Sequence, residues 1–491
     1  MKLPRRWLTS LLVLSLLLAA LTLAVRFLLP VDRFVRTALA ELNAGAGVEV
    51  FVGDAWVDLW PTPRVVLSNV SATPGPEARA AAAGGVSWFL LAKSATVRPD
   101  WRELAGGRAA LRDVRLAQLR LDLVLGDGVK AGAVQAAAVT LIPVPGDLRV
   151  SVDEADWHGT AISADATWEG WPGPGRLRGE WRLERCDAAS LFAALPRRPA
   201  LGPTPVAGLA GGKVEATGSF DWAWPAPAPV RFRDLAPGLA GNAKVSDLAV
   251  SFVGSEAPWI VSARAGLQDG RLAVSDVVVG IGDGRVTGRF DLADLDRDQR
   301  RCSFEADCEA VDLAVLLRVL APGAAGYVSG TSGAGIRGGF TGGRPGAALA
   351  GLEVDADLAA RDGVVHAQDW LTDIASYLGE RQDLQDIRYR TLTSRLELRE
   401  GRLAMQDLKL EGPDTDWRGA GRIDLAGPLE VALVVKLPAG FRPDLGSMSP
   451  LADLLKGDDG RIALGLRLTG RASGPEVSLD LAKSGRQAGW R

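Results

Sequence analysis

The stretch Leu429-Glu-Val-Ala-Leu-Val-Val-Lys-Leu437 reads with a period of two. Leu429, Val431, Leu433, Val435 and Leu437 share one set of alternating positions, and Glu430, Ala432, Val434 and Lys436 share the other. Successive side chains of an extended strand point to opposite faces, so this is a strand with one apolar face. Ile462, Leu464, Leu466 and Leu468 alternate in the same way with Arg461, Ala463, Gly465 and Arg467. Leu392, Leu396 and Leu398 share a face opposite Thr393, Arg395 and Glu397. One apolar and one polar face is the pattern of an antiparallel sheet. The 491 residues include 58 Gly and 28 Pro, which punctuate short apolar runs and extend the all-β reading to most of the chain. At about 12 residues per strand and turn, roughly 25–30 strands are expected.

Working outward, a repeat appears. Gly107-Arg-Ala-Ala-Leu-Arg-Asp-Val-Arg-Leu116, Gly270-Arg-Leu-Ala-Val-Ser-Asp-Val-Val-Val279 and Gly401-Arg-Leu-Ala-Met-Gln-Asp-Leu-Lys-Leu410 share one pattern. The last two are followed by Gly288-Arg-Phe-Asp-Leu-Ala293 and Gly421-Arg-Ile-Asp-Leu-Ala426. The leading Gly suits a hairpin turn. The apolar positions flanking the Asp, at 111/114, 274/277 and 405/408, have an odd offset that would switch faces on a regular strand. A β-bulge at or beside the Asp would return them to one side. Each Asp reads as a turn or bulge residue and not as an acid or base.

Trp7 to Val25 carries no charge and follows Lys2, Arg5 and Arg6. At about 1.5 Å per residue the run matches a bilayer's hydrocarbon core, and the preceding positive charge keeps the N-terminus cytoplasmic. Trp7, Leu11, Leu14, Leu18, Leu21 and Val25 are the anchor residues this predicts. A cleaved signal peptide is the competing reading, against which stand the length of the run and the lack of an A-x-A site. Val31 to Leu42 is an amphipathic helical pattern. Pro196 to Pro205 and Pro225 to Pro229 read as linkers, Ala321 to Gly351 is Gly/Ala-rich, and short helical patterns fall at Val311–Leu320, Asp369–Leu378 and Ser449–Leu455. The expected organisation is residues 1–29 as cytoplasmic tip and anchor, followed by β regions at 30–195, 206–345 and 352–491.

The net charge of −3 argues against a nucleic-acid partner. His158 and His366 are the only histidines and neither sits in a motif. Cys186, Cys302 and Cys308 form no CxxC pair. Cys302 and Cys308 read as one strand, about 20 Å apart and beyond disulfide reach. Gly330-Thr-Ser-Gly-Ala-Gly335 lacks the Lys-Ser/Thr of a phosphate-binding loop and reads as a linker. No cofactor, metal site or enzymatic activity is expected.

The apolar strand faces need a cover. A second sheet or helices would give sandwiches with ordinary cores. A trough filled by lipid tails is the other solution, and periodicity does not separate the two. Two blocks of motifs resemble the AsmA-like family of bacterial envelope proteins, relatives of TamB. The first runs from the anchor through Gly45-Ala-Gly47-Val-Glu-Val50, Trp60-Pro-Thr-Pro-Arg-Val-Val-Leu-Ser-Asn-Val70, Ala92-Lys-Ser-Ala-Thr-Val97 and Leu104-Ala-Gly-Gly107. The second holds Leu396-Glu-Leu-Arg-Glu-Gly401-Arg-Leu403, Gly419-Ala-Gly-Arg-Ile-Asp-Leu425, Ile462-Ala-Leu-Gly-Leu-Arg-Leu-Thr-Gly470 and Gly474-Pro-Glu-Val477. The resemblance implies a single-pass inner-membrane anchor, an elongated periplasmic β-sheet body, and a hydrophobic groove conducting phospholipid in support of outer-membrane lipid homeostasis. It brings no catalytic residues. The alternating apolar residues named above in the 392–398, 429–437 and 462–468 strands are the groove candidates. The alternative function is a structural or assembly factor for outer-membrane proteins, pairing with outer-membrane or periplasmic partners through strand edges.

Overall fold

The computed structural model describes residues 15–16, 35, 39, 48–59, 62–75, 87–100, 102–103, 111–124, 130–171, 174–190, 206–224, 232–320, 326–342, 351–366, 386–424, 427–441, 455–457, 459–471 and 474–484. Ser15 and Leu16 are helical, as are Val35 and Leu39 in the amphipathic segment. The anchor residues Trp7, Leu11, Leu14, Leu18, Leu21 and Val25 lie outside the described residues, and so do the segments expected to be helical at 369–378 and the linker Pro196–Pro205. No helix of the described residues is long and apolar enough to cross a membrane.

The described residues are mostly strand, 24 in number, with a few short helices. They fall into two compact units, Met1–Arg197 with Lys213–Ala243 and Leu267–Gly270, and Arg198–Gly212 with Lys244–Gly266 and Arg271–Arg491. The first unit holds β1 (Val48–Phe51), β2 (Asp54–Asp58), β3 (Arg64–Pro74), β4 (Ser87–Pro99), β5 (Leu111–Val124), β6 (Lys130–Val144), β7 (Asp147–Trp157), β8 (Thr160–Glu169), β9 (Gly175–Asp187) and β11 (Lys213–Trp224). From β3 to β9 each strand pairs antiparallel with the next, and β11 joins β9. The long β3 carries two short partners side by side, β2 along Arg64–Ser68 and β1 along Ser71–Pro74.

In the second unit, β10 (Val206–Ala210) pairs with residues 249–252 of β12 (Leu239–Phe252), and residues 259–266 belong to β13 (Trp259–Gln268). Then follow β14 (Arg271–Ile281), β15 (Gly284–Ala293), β16 (Arg300–Asp312), helix α1 (Leu313–Leu320), β17 (Val328–Gly342), β18 (Glu353–Val365) and β19 (Ile387–Arg399). The last strands are β20 (Arg402–Glu411), β21 (Asp416–Asp424), β22 (Pro428–Lys436), β23 (Ala463–Arg471) and β24 (Gly474–Leu479). From β14 to β24 every strand pairs antiparallel with its successor. Consecutive antiparallel pairing needs only short connections, which is what the regular spacing of Gly and Pro supplies.

The repeat works through its turn and its bulge. Arg399 pairs with Arg402 across a two-residue loop in which Glu400 and Gly401 have φ of 52° and 73°. Positive φ at both positions is the hairpin geometry whose twist matches the strands, and it favours Gly. Asp276 has φ 50° and the β14–β15 register slips between Val274 and Val277. Asp407 has φ 48° and the β20–β21 register slips between Met405 and Leu408, both of which pack against the same core. The first copy differs. Asp113 is buried and accepts a 2.8 Å hydrogen bond from Arg98 Nε, and a register slip lies beside it, opposite Arg112. The left-handed residue of β5 is Gln118, at φ 49°. Asn69, Glu154 and Asp362 take the same conformation in β3, β7 and β18. Left-handed backbone costs an L-residue about 1–2 kcal/mol, least for Asn and Asp and most for a β-branched side chain. Asp276→Val is therefore expected to lose about 1–2 kcal/mol of stability in a urea titration, while Asp276→Gly stays within about 0.5 kcal/mol of the parent. Equal loss in both variants would remove the bulge as the cause.

In the second copy the Arg of the pattern has a partner on the opposite hairpin strand. Arg271 holds Asp291 of the Gly288 element at 2.7 Å, and this hydrogen-bonded pair raises the Arg271 pKa. Arg402 stands directly opposite Asp424 in the third copy. One expectation is corrected: Gly330–Gly335 is not a linker but lies within β17, paired on both sides. The ring of Phe304, from β16, lies where a Cβ at Gly338 would be, and Tyr389, from β19, approaches Gly330 and Gly363. Aromatic side chains on neighbouring strands supply the packing surface that the glycines lack.

Candidate functional site

The register of the first unit lines up apolar residues into continuous rows. One runs Leu67–Ala95–Leu116–Val139–Val152–Ala164–Trp181–Gly218. The next, two residues along, runs Val65–Val97–Val114–Leu141–Val150–Ala166–Gly179–Phe220. Neither row contains a polar side chain. Each crosses eight strands, and seven steps of about 4.8 Å make roughly 34 Å. Buried positions on this face are few, Ala92, Ala95, Ala136 and Ala155 with the larger Val70, Leu119 and Val139. Leu116, Leu141, Val150, Val152, Ile162 and Trp181 are only half-buried.

Towards β9 and β11 the face is floored by aromatic rings. Phe220 lies over Gly179, where a Cβ would stand 2.6 Å from its ring. Trp181 lies over Gly218 at the same 2.6 Å. Phe220 stacks on Trp222 with ring centroids 4.6 Å apart and 18° between planes, and Trp222 Nε1 donates to the Leu235 carbonyl at 2.9 Å. Glycine at these positions is what allows the rings to lie against the backbone. The opposite face is polar and carries cross-strand ion pairs, among them Arg176–Asp221 at 2.8 Å and Arg178–Glu169 at 3.1 Å. Exposed pairs of this kind contribute about 0–1 kcal/mol each and serve chiefly to keep that face wet.

The candidates from the C-terminal strands are brought together, but into a closed core. Leu392, Leu429, Val431, Leu433, Val435, Leu437, Ile462, Leu464, Leu466 and Leu468 belong to one buried cluster. Val435 is 0 % exposed and Leu464 1 %. Leu396 and Leu398 are half-buried, opposite Met405 and Leu403. Leu313 and Leu317 of α1 pack on this cluster, together with Phe441 and Leu455. Asp312 caps that helix, its Oδ1 accepting from Ala314 N at 2.8 Å. The expectation of a one-sided strand at 461–468 is also corrected. Ala463 and Gly465 are buried because the chain after β24 folds back, with Ser484 Oγ accepting from Gly465 N at 2.8 Å.

Side chains with chemistry are sparse. Cys186, Cys302 and Cys308 are free and buried, and burial raises the thiol pKa of Cys302 and Cys308. Cys302 and Cys308 lie on β16 as expected. His158 occupies a hairpin tip with φ 52°. Among the described residues no group of His, Cys, Asp or Glu is placed to hold a metal ion. Sequence spacing gave no sign that Ser329, His366 and Asp386 would meet. His366 Nε2 lies 3.3 Å from Ser329 Oγ, and its Nδ1 lies 3.8 Å from Asp386. The second distance exceeds a hydrogen bond, so nothing in it fixes the imidazole tautomer as a nucleophile's base requires. Ser329 also approaches the Val364 carbonyl, at 3.4 Å, and its own carbonyl accepts from Tyr389 OH at 2.6 Å. Burial pushes the Tyr389 pKa up to about 12. These contacts tie β17, β18 and β19 together.

No protein-family model, curated protein or solved structure matches the chain.

Proposed function

We propose that the chain is an inner-membrane-anchored periplasmic protein that holds or conducts phospholipid acyl chains along the apolar face of its β-sheet, supporting lipid homeostasis of the outer membrane. The observation that carries this is the pair of uninterrupted apolar rows across eight strands of the first unit, in which every residue except Ala95 and Val139 is short of full burial. An acyl chain leaving water for such a face gains about 0.8 kcal/mol per buried CH₂. Successive positions along a row are chemically alike, so displacement from one strand to the next changes little free energy. A headgroup would remain at the solvent side of the sheet. The site thus moves from the C-terminal strands, which are closed, to the first unit. The AsmA-like motif blocks and the uncharged Trp7–Val25 run support the envelope setting.

The test is lipid carried through purification of the full chain in mild detergent, extracted and weighed per mole of protein. Val150→Asp puts a carboxylate in the middle of a row at a half-buried position. It is expected to remove most of the bound phospholipid while the circular dichroism stays that of the parent. Undiminished lipid in that variant would end the proposal. The assembly-factor reading finds less support. Among the described residues the C-terminal strand β24 is a short Gly474–Leu479 segment carrying Pro475, a poor template for strand addition.

A further inference from the structure

Among the described residues the mostly polar face of the first unit carries an apolar patch on its first strands. Phe51 pairs with Ser71, Ser71 with Leu91, and Leu91 with Arg120, so these four share a face. Phe89, two residues before Leu91, shares it as well. The other face at this level is Val50, Ala72, Leu90 and Leu121, of which Ala72 is buried and the others pack on the clusters of the apolar side. Phe51 is 59 % exposed, Leu91 41 % and Phe89 39 %. Three large apolar side chains pointing away from the sheet's own apolar side have no role in the lipid rows. Lys93 continues the same face, with no ion-pair partner among the described residues, whereas Arg120 is neutralised by Asp122 at 3.1 Å.

We propose that this patch seats the first unit on the surface of the bilayer, with Phe51, Phe89 and Leu91 in the interfacial layer and Lys93 at the lipid phosphates. The choice of a bilayer over another protein comes from where the chain begins. β1 follows the uncharged Trp7–Val25 run by residues 26–47, which reach roughly 33–75 Å depending on whether they are helical or extended. The patch lies on the first strands after that tether, and aromatic and Leu side chains with a Lys beside them suit the headgroup boundary. The inference rests on the anchor reading and goes beyond it, because an anchored body could equally hang free of the surface. A seated first unit would bring the start of the apolar rows to the source of its lipid.

Because the native thiols are buried, a Leu91→Cys variant can be labelled selectively with an environment-sensitive dye. The full chain is incorporated into vesicles of phosphatidylethanolamine and phosphatidylglycerol containing doxyl-labelled lipid, and floated. The expected result is co-flotation with a blue-shifted, doxyl-quenched label. A label at Ser219→Cys, on the polar face of β11, stays unquenched. Adding Phe89→Asp to Leu91→Cys is expected to lower the inserted fraction about tenfold, the effect of taking one Phe out of an apolar medium. Flotation with an unquenched Leu91→Cys label overturns the seating while leaving the anchor intact. Failure to float with an unquenched label overturns both. A blue shift that follows protein concentration and ignores doxyl lipid assigns the patch to a second copy of the chain, and also overturns the proposal.

Discussion

Leu464→Ala is expected to lower the unfolding free energy of the second unit by about 3–5 kcal/mol, with a matching fall in the urea midpoint. Leu464 lies on β23 opposite Val435, in a row that continues through Trp417, Leu410, Leu392 and Ala360. Every member of that row is buried. Removing the three outer carbons of the side chain forfeits their transfer free energy and leaves a cavity that a six-strand wall cannot collapse to fill. The same change on the open face is a different experiment. Val150→Ala in the first unit removes fewer atoms from a half-buried site, and its loss is expected near 1 kcal/mol. Similar losses at the two positions would mean that the first unit's rows are as closed as the second's, and the lipid reading would lose its site. Leu464→Ala should leave bound phospholipid unchanged in protein that remains folded, because the residue does not belong to the open rows.

Alternation was enough to read the strands, their one-sidedness and the region of the strongest core. Leu433, Val435 and Leu466 obey a strict period of two because regular strands carry them. The bulges were legible as well, since 111/114, 274/277 and 405/408 violate that period in a way that an extra residue at or beside the Asp repairs. What separates an open apolar face from a closed one was not legible. The rows of the first unit are built partly of Ala95, Ala164, Ala166 and Gly179, whose small side chains weaken the hydrophobic signal. The most regular alternation marked the most deeply buried strands, so the candidate residues fell on a core. β17 was missed for a related reason. Its glycines carry no pattern of their own, and the rings of Phe304 and Tyr389 that complete it arrive from strands far away in sequence. The first repeat copy looked like the others, yet Asp113 is buried against Arg98 whereas Asp276 meets Arg264 at 3.2 Å in the open, and the left-handed residue of β5 is Gln118.

Gly218→Ala carries the second large effect. One added methyl would clash with the Ala240 carbonyl oxygen and stand 2.6 Å from the Trp181 ring. The ring can move; the carbonyl belongs to the backbone. The expected cost is about 2–3 kcal/mol, the range for overpacking a well-filled site, read from the urea midpoint of the first unit. A double-mutant cycle separates the two causes. If the Trp181 ring were the obstacle, Trp181→Leu would make room and Gly218→Ala would become nearly silent in that background. If the Ala240 carbonyl is the obstacle, the two losses add. The geometry favours addition, because the oxygen stands closer than the ring. The cycle also bears on lipid. Trp181→Leu keeps the row apolar but removes its floor, so bound phospholipid is expected to fall without vanishing. Gly218→Ala with Trp181 in place tilts the ring off the sheet into the space a chain would occupy, and should reduce lipid at least as much. Full lipid occupancy in both variants would show that the aromatic end of the rows stiffens the sheet and takes no part in holding an acyl chain.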